Sequence, residues 1–303
     1  MGASKRFKGG LVRLASGLAV AAATLMGSTG GAAAGDGIIQ WSDTFIGLRY
    51  GATYAEPAND HDVEKVIFQG QHVSGWTYGQ NFVNIDVLLD LEESDEAQKD
   101  GGGGAREIYA VFREKLSSAK IFGASYGGII RDIGLTFGGD LSYKDDAFNA
   151  RVRKFVIGPT IDFEVPGFLS VGVLLGTEHN HNGIGLAYNI PGVDASVDFD
   201  PTWRIETAWG LPIPLDIGVP MSFEGFMNII GPKGEDGFGN DTVYEVLLDA
   251  AIMFDVGAPA GTPKTFMVGF GYQWWKNKFG NDPDLTTVGT EASVPQFVAQ
   301  FHF

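Results

Sequence analysis

The chain ends in Ser293-Val-Pro-Gln-Phe-Val-Ala-Gln-Phe-His-Phe303, a segment in which apolar and polar side chains alternate. Successive side chains of an extended strand point to opposite faces. One face carries Phe297, Ala299, Phe301 and Phe303, and the other carries Gln296, Val298, Gln300 and His302. This pattern fits an edge strand of a soluble sheet, and it also fits the closing strand of a membrane barrel, whose apolar face meets lipid. The remainder of the chain has to decide between these two interpretations.

The N-terminus has the features of a secretory signal peptide. Four basic residues up to Arg13 precede an apolar run from Leu14 to Met26, and Ala32-Ala33-Ala34 provides an Ala-x-Ala cleavage site. The apolar run is too short and too rich in Ala and Gly to be a good membrane-spanning helix. We expect cleavage after Ala34, so that residues 1–34 form the signal peptide and residues 35–303 form one domain. An uncleaved anchor is the alternative.

Composition describes an acidic exported protein. Removing the four basic residues of the leader, which contains no acid, changes the net charge from −16 to −20. That charge argues against binding to nucleic acid or to an anionic membrane surface. The chain has no Cys, which fits export to an oxidising compartment. After the leader, no stretch approaches the eighteen consecutive apolar residues of a helical span.

Period-two alternation predicts twelve strands. We place them at 44–50, 66–73, 83–90, 107–113, 132–140, 155–164, 169–176, 203–209, 215–223, 244–255, 266–275 and 293–303. The connections largely alternate between long polar loops and short turns such as Pro166-Gly167, and 116–131 is an irregular Gly-rich connection. An even strand number puts both termini in the periplasm, with the long loops 92–106, 177–201 and 276–291 outside the cell.

Acidic residues on the polar face exclude the soluble alternative. A sandwich would have to bury seven carboxylates at Asp86, Asp90, Asp162, Glu164, Glu206, Glu245 and Asp249. Unpaired burial of so many charges is prohibitively unfavourable, whereas a lumen leaves them hydrated. Closure of the sheet also removes its exposed edges. The sequence therefore predicts an all-β protein, a transmembrane antiparallel β-barrel of about twelve strands.

Several stretches resemble the Tsx-type nucleoside-specific channel-forming proteins of the outer membrane. The resemblance begins at Ile157-Gly-Pro-Thr-Ile-Asp-Phe-Glu-Val-Pro-Gly-Phe168 and is most specific at Gly269-Phe-Gly-Tyr-Gln-Trp-Trp-Lys-Asn-Lys-Phe-Gly280. Gln296 and the terminal Phe303 resemble the closing strand of that family. Weaker similarities lie at 78–86, 223–226 and 247–255, and the departures lie in the four-glycine loop and in 178–182. The resemblance implies a monomeric twelve-stranded barrel in the outer membrane that passes nucleosides and deoxynucleosides without energy input.

A nucleoside is a neutral, flat base on a hydroxylated sugar, so a channel for it needs aromatic faces and hydrogen-bonding groups. The residues that we predict to line the pore are Phe45, Arg49, Asn84, Asp86, Tyr109, Arg113, Arg204, Glu206, Glu224, Glu245, Gln273 and Trp275. Among them, Tyr109 and Trp275 are candidates for stacking, and Asp86, Glu206 and Gln273 for bonding to hydroxyls. The alternative is that these acids and arginines pair across the lumen and only solvate it.

Other aromatic and histidine residues have simpler interpretations. An outward membrane-anchoring girdle is expected from Trp203, Trp209, Tyr244, Tyr272 and Trp274. His179 and His181 are spaced for a metal, but no third ligand is evident, and a polar loop is the preferred interpretation. We predict no metal site and no cofactor.

Three classes of function remain open at this stage. Passive nucleoside uptake leads. A general porin, or a surface receptor for phage or colicin, is the second class. A barrel enzyme such as a phospholipase needs Ser beside His, and the two histidines placed within strands, His72 and His302, have no evident Ser partner. Further partners expected are outer-membrane lipid, lipopolysaccharide, and the barrel assembly machinery, through the strand that ends at Phe303.

Overall fold

The computed structural model describes residues 37–183 and 192–303. The predicted signal peptide, residues 1–34, lies outside the described residues. Within residues 37–183 and 192–303, no helix is long and apolar enough to cross a membrane. Twelve long strands make up more than half of the described residues: β1 (Ile39–Tyr54), β2 (Val63–Trp76), β3 (Gly79–Asp90), β4 (Arg106–Ser117), β5 (Ile130–Lys144), β6 (Arg151–Phe163), β7 (Phe168–His181), β9 (Thr202–Ile213), β10 (Met221–Ile230), β11 (Glu245–Asp255), β12 (Phe266–Lys276) and β13 (Ala292–His302). The short strand β8 (Ser196–Asp198) and the five-residue helix α1 (Ser118–Phe122) lie in connections.

The twelve long strands form one closed antiparallel sheet. Each pairs with the next long strand along the chain, and β1 pairs with β13 from Phe45↔His302 to Tyr50↔Phe297. β8 pairs only with the last residues of β7, beyond the start of β9. Because the first and last strands are hydrogen-bonded to each other, the sheet has no open edge. The predicted twelve-stranded barrel is confirmed.

The two ends of the barrel differ. We call one the loop end, formed by connections 55–62, 91–105, 145–150, 182–201, 231–244 and 277–291. The other is the turn end, formed by the chain termini and by connections 77–78, 118–129, 164–167, 214–220 and 256–265. Residues 184–191 of the fourth loop lie outside the described residues. An even strand number brings both described termini to the turn end, as the sequence predicts.

The polarity of the wall is inverted relative to a soluble sheet protein. Side chains on the outer face are exposed and apolar, for example Phe270 (62% exposed), Phe297 (60%) and Leu175 (55%). Charged side chains on the inner face are buried, for example Asp140 (2%) and Arg204 (4%). An apolar outer band around a polar interior is the surface of a barrel whose outer wall faces lipid. The assignment of faces from period-two alternation is confirmed on β1, β3, β4, β5, β11, β12 and β13.

Two small apolar clusters lie on the inner face of the wall formed by β1, β2, β11, β12 and β13. Tyr54, Val63 and Ile67 pack with Ala292 and Val294 toward the loop end. Met253, Met267 and Val298 pack together toward the turn end.

The predicted strand at 215–223 is wrong. Residues 214–220 form a turn, and the strand is Met221–Ile230. Gly218 adopts a φ of 82° in that turn, in the left-handed region that other residues avoid, and prolines stand at both of its ends, where neither can donate a ladder hydrogen bond. The alternation of Leu215, Ile217 and Val219 is therefore fortuitous.

Three smaller predictions also need correction. Glu164 follows β6 in a turn, where it pairs with Arg131 at 3.2 Å and is not on the inner face. The loop predicted to begin at Thr177 begins after His181, because β7 continues to that residue. His179 and His181 therefore lie in a strand, so His72 and His302 are not the only strand histidines.

Candidate functional site

Charged side chains meet inside the barrel around Arg49, which projects inward from β1. Its guanidinium contacts Asp86 on β3 and donates to Asp249 on β11 at 2.9 Å. Asn84 donates to Asp86 at 3.1 Å, and Gln273 donates to Asp249 at 3.0 Å. We call these five residues the Arg49 cluster. Four of them, all except Asp249, belong to the predicted pore-lining set.

A second network, the Arg113 cluster, joins β4, β5 and β9. Arg113 donates to both carboxylate oxygens of Glu206, at 2.9 and 2.8 Å, and to Asp140 at 2.7 Å. Arg204 lies 3.0 Å from Glu206, and the hydroxyl of Tyr109 donates to Asp140 at 3.0 Å. Four of these five residues were predicted to line the pore. Asp140 was not.

Glycines make room for the large side chains in the lumen. Gly176 lies on β7 beside β9, and a Cβ built there would be 2.8 Å from Cδ of Arg204. Any larger residue would force that arginine away from Glu206. The abundance of glycine on the inner face is therefore part of how the wall accommodates long charged side chains from neighbouring strands.

The two clusters narrow the lumen. β4 and β9 are separated by β5, β6 and β7 along the wall, yet their side chains hydrogen-bond directly. Arg49 similarly reaches β11, from which β12 and β13 separate it. The clusters contain three arginines and four carboxylates, so their charges nearly cancel. These contacts are the pairs of acids and arginines across the lumen that the sequence left open as the alternative.

Loop residues close over the lumen at the loop end, around Glu56. Its carboxylate lies 2.6 Å from Lys65, 3.1 Å from Lys144 and 3.0 Å from Lys278. Asp90 and Glu96 complete this Glu56 cluster, at 3.2 Å from Lys65 and 2.7 Å from Lys144. Burial alone would raise the pKa of Glu56, but the three ammonium groups hold it well below its usual range. Ion pairs thus tie the 55–62 and 91–105 loops to the wall lysines Lys65 and Lys144, and tie the 277–291 loop, through Lys278, to Glu56.

A fourth set of charges joins β6, β7 and the 231–244 loop. Glu178 lies 3.3 Å from Lys154 and 2.8 Å from Lys233. These three side chains and Arg204 line a cavity of about 10 Å³, roughly the volume that admits one water molecule. Lysines on the inner face were not singled out from the sequence. The signal was available, because Lys65, Lys144 and Lys154 share the parity of other buried residues on their strands.

Four predicted pore residues lie apart from the two arginine clusters. Phe45 is buried at the turn end, with its ring 4.9 Å from that of His302. Glu224 accepts a hydrogen bond from Ser222 at 2.5 Å. Trp275 donates to Glu245 at 2.7 Å, and the ammonium of Lys278 lies 4.7 Å from its ring centre. All four face inward, but they lie at different heights of the barrel.

The predicted girdle residues face outward. Trp203, Tyr244 and Tyr272 are more than two-fifths exposed. Trp209 packs against Phe223 with ring centres 5.5 Å apart, and Trp274 donates to Glu291 at 2.8 Å. Amphipathic rings on the outer face suit the interface between lipid and water.

The strand histidines make ordinary polar contacts. His72 contacts Thr44 at 2.7 Å, and His302 contacts Asp43 at 2.9 Å. His179 contacts Asp198 at 2.6 Å and Ser196 at 3.4 Å on the outer wall, where the Asp198 side chain is 90% exposed. A carboxylate so exposed is well screened by solvent. Among residues 37–183 and 192–303, no group of three potential ligands could hold a metal ion.

Comparisons with known proteins give similarity to solved barrels alone. No protein-family model matches the chain, and no curated protein matches it. The translocator domain of autotransporter NalP from Neisseria meningitidis has 10% identity and a TM-score of 0.44, covering 99% of this chain and 96% of that one. The NanC porin has 6% identity and a TM-score of 0.43, covering 84% and 98%. OccK11 from Pseudomonas aeruginosa has 9% identity and a TM-score of 0.37, covering 86% and 96%. Likenesses at this level carry no argument about function, and the fold rests on the geometry of the barrel itself.

Proposed function

We propose that the protein is an outer-membrane channel for the passive, selective diffusion of nucleosides and deoxynucleosides, acting as a monomer. The observation that carries this proposal is the lumen itself. Arginines and carboxylates from opposite parts of the wall meet inside a barrel whose outer surface is apolar. The resemblance to nucleoside-specific channels supplies the substrate class.

The outer surface supports the membrane location. A closed barrel satisfies every backbone hydrogen bond of its strands, which is the condition for crossing a lipid bilayer without helices. Exposed Phe, Leu, Val and Ile side chains cover the wall between the two rims. Barrels of this type reside in the outer membrane of Gram-negative bacteria, with long loops outside. We therefore assign the loop end to the cell surface and the turn end to the periplasm.

The charge balance of the lumen supports a neutral substrate. An ion that enters the Arg49 or Arg113 cluster is attracted by the groups of opposite charge and repelled, at a similar distance, by the groups of like charge. A neutral solute with several hydroxyl groups can instead accept from the arginines and donate to the carboxylates. Passage would require the pairs that cross the lumen to separate, and the solute would replace their hydrogen bonds in turn.

Unsatisfied polar atoms support hydrogen bonding to a solute. In the described residues, Nε of Arg49, Nε of Arg204 and Oε1 of Gln296 are buried without a hydrogen-bond partner. The first two are donors and the third is an acceptor, which suits ribose hydroxyls and base edges. Tyr109 and Trp275 supply inward-facing aromatic rings for the base. These features favour a nucleoside over an aliphatic polyol.

Single-channel recording in planar bilayers tests the proposal. Adenosine added to the bath should block the current of the wild-type barrel at lower concentration than glucose does. Equal block by the two solutes would contradict nucleoside selectivity and leave a general porin. An absence of ion current and of solute flux in liposome swelling, with the barrel correctly folded, would contradict the channel function.

A further inference from the structure

The outer wall at the loop end carries a group of cationic residues on β6 and β7. Arg151 and Arg153 lie two residues apart on β6 and are both exposed. The register pairs Arg151 with His181 and Arg153 with His179. Residues i and i+2 of a strand share a face, and directly paired residues have Cβ atoms about 5 Å apart. These four side chains therefore form one outward patch, which we call the β6–β7 patch.

Among the described residues, neither arginine of the patch has a carboxylate partner. In residues 37–183 and 192–303, Arg153 has no ion pair or hydrogen-bond partner, and Arg151 contacts only the ring of Tyr143, at 5.6 Å. The cations Arg49, Arg113 and Lys65, which lie inside the barrel, each face carboxylates. Of the patch, His179 alone faces an acid, the exposed Asp198.

Lipid-facing side chains lie beside the patch and directly below it. Phe155 follows Arg153 by two residues on the same face of β6 and is 50% exposed. Leu175 on β7 is 55% exposed, and Leu141, which pairs with Arg153 across the β5–β6 ladder, is 59% exposed. The patch thus stands at the border where an apolar wall meets the polar rim, the depth of lipid headgroups.

Acidic side chains stand on the opposite side of the rim. On the outer face near the loop end, Glu64 accepts from Tyr50, and Glu291 accepts from Trp274 at 2.8 Å. These acids lie on or beside β2 and β13, across the barrel from β6 and β7. The protein is acidic as a whole, with a net charge of −16, so two neighbouring exposed arginines that have no acidic partner among the described residues are a marked local concentration of positive charge.

We infer that the β6–β7 patch binds a phosphate group of lipopolysaccharide in the outer leaflet. Guanidinium groups bind phosphate oxygens through paired, charge-assisted hydrogen bonds, and two arginines on one strand face can take one phosphate between them. His179 and His181 flank it on β7. The acyl chains of the same lipid lie against Phe155, Leu141 and Leu175. The inference rests on the proposed outer-membrane location with the loop end outward.

The test compares lipid binding by the detergent-purified barrel and two variants, using native mass spectrometry. The probes are bisphosphorylated lipid A and the same lipid A with its phosphates removed. Arg151→Gln/Arg153→Gln removes both charges of the patch. Arg131→Gln is the matched control, since Arg131 is an outward arginine of β5 at the turn end that pairs with Glu164.

The wild type and the control should retain bisphosphorylated lipid A. The double variant should bind it about tenfold more weakly, which corresponds to about 1.4 kcal/mol. Equal binding by the wild type and the double variant, or equal binding of both lipid A forms by the wild type, would overturn the inference. Phosphatidylglycerol that displaces lipid A at equal concentration would also overturn the assignment to lipopolysaccharide.

Failure of this inference can be told apart from failure of the channel. Arg151 and Arg153 lie outside the lumen, so adenosine block of the double variant should equal that of the wild type. Loss of lipid A with unchanged block supports the inference even where nucleoside selectivity itself fails. Recovery of the wild type outside the outer-membrane fraction of a sucrose gradient would overturn both.

Discussion

Arg113 on β4 and Glu206 on β9 form a two-point hydrogen-bonded pair across the lumen, with N–O distances of 2.9 and 2.8 Å. Three strands separate them along the wall. A pair of side chains that spans the lumen in this way reduces the open cross-section of the lumen. Arg113 also holds Asp140, so one guanidinium links three strands. This relationship makes the pair the natural place to alter the size of the channel.

Shortening both partners should widen the channel. We expect Arg113→Ala/Glu206→Ala to raise single-channel conductance severalfold, because the space between β4 and β9 opens. The two charges that lose a partner, Asp140 and Arg204, still face each other at 3.7 Å. Conductance in planar bilayers measures this. The matched control is Arg131→Ala/Glu164→Ala, which removes an ion pair at the turn end, outside the lumen. A wild-type conductance in the lumen variant, with normal heat-modifiable gel mobility, would show that another level limits the current.

Removing Arg49 should destabilise the barrel. Arg49→Met leaves Asp86 and Asp249 inside the lumen without their shared counter-charge, and an uncompensated buried charge costs about 3–5 kcal/mol. The midpoint of urea unfolding in lipid vesicles, followed by tryptophan fluorescence, should fall accordingly. Arg153→Met, on the outer wall, should unfold at nearly the wild-type midpoint. Adding Asp86→Asn and Asp249→Asn to Arg49→Met should recover most of the loss, and failure to recover it would argue against charge as the cause.

Glu56 should make stability depend on pH in the acid range. Its folded-state pKa lies well below its usual range because of Lys144, Lys278 and Lys65. A depressed carboxyl pKa contributes stability that is complete above the unfolded-state pKa of about 4.3. That stability is lost as pH falls through the lower, folded-state pKa. Below pH 4.3 or so, the wild type should therefore lose unfolding free energy more steeply than Glu56→Gln does.

Urea unfolding at a series of pH values measures this difference. Glu92→Gln is the control, because Glu92 is exposed in the neighbouring loop. Parallel pH profiles for wild type and Glu56→Gln would show that the three lysines do not depress the pKa of Glu56 in the folded protein.

Epitope tags should report the orientation of the barrel. Insertions at Gly102 and Gly192, in two connections of the loop end, should bind antibody on intact cells. A tag between Pro166 and Gly167 at the turn end should bind only after the outer membrane is permeabilised. Exposure of the Pro166 tag alone on intact cells would place the loop end in the periplasm, and would also remove the outer leaflet from the β6–β7 patch.

Trp275 and Tyr109 should contribute to nucleoside binding through their rings. Removing a ring should make the binding free energy of adenosine, measured by its block of the current, less favourable by about 1–3 kcal/mol, the range of base–aromatic stacking. Trp275→Ala and Tyr109→Ala measure the loss. Tyr109→Phe separates the ring from the hydroxyl that donates to Asp140, and should retain block if stacking is the contribution. Unchanged block in both alanine variants, with normal assembly, would leave these residues as structural members of the wall.

Much of the barrel could be predicted from the sequence because strand alternation is a local property. The alternation of side chains along a strand is enough to place Phe297 on the outer face and Gln296 on the inner face. The same alternation predicts that Asp86, Arg113 and Gln273 face inward. Alternation predicted a strand wrongly where it continued through a turn, as at Leu215–Val219. Pro and Gly determine the backbone conformation there more strongly than side-chain polarity does. Alternation also ended β7 too early, since polar residues such as His179 and His181 can occupy a strand that extends beyond the lipid.

Contacts between distant strands could not be predicted in the same way. The partner of Arg49 depends on the shear and closure of the whole sheet, which bring β11 within reach of β1 although their residues are 200 positions apart. Asp140 and Asp249 were inward by parity, but nothing local showed that each would accept from an arginine. The Glu56 cluster forms only when three loops fold inward together. The two-residue alternation that predicts strands does not predict the conformation of loops.

The sequence by itself determined the class of fold, the strand number and the two faces of most strands, because each follows from the polarity of neighbouring side chains. Only the tertiary structure decided which charges meet, how far the lumen is narrowed and which outer-wall cations remain without acids. Those properties depend on register and closure, which position side chains from strands far apart in the chain within hydrogen-bonding distance.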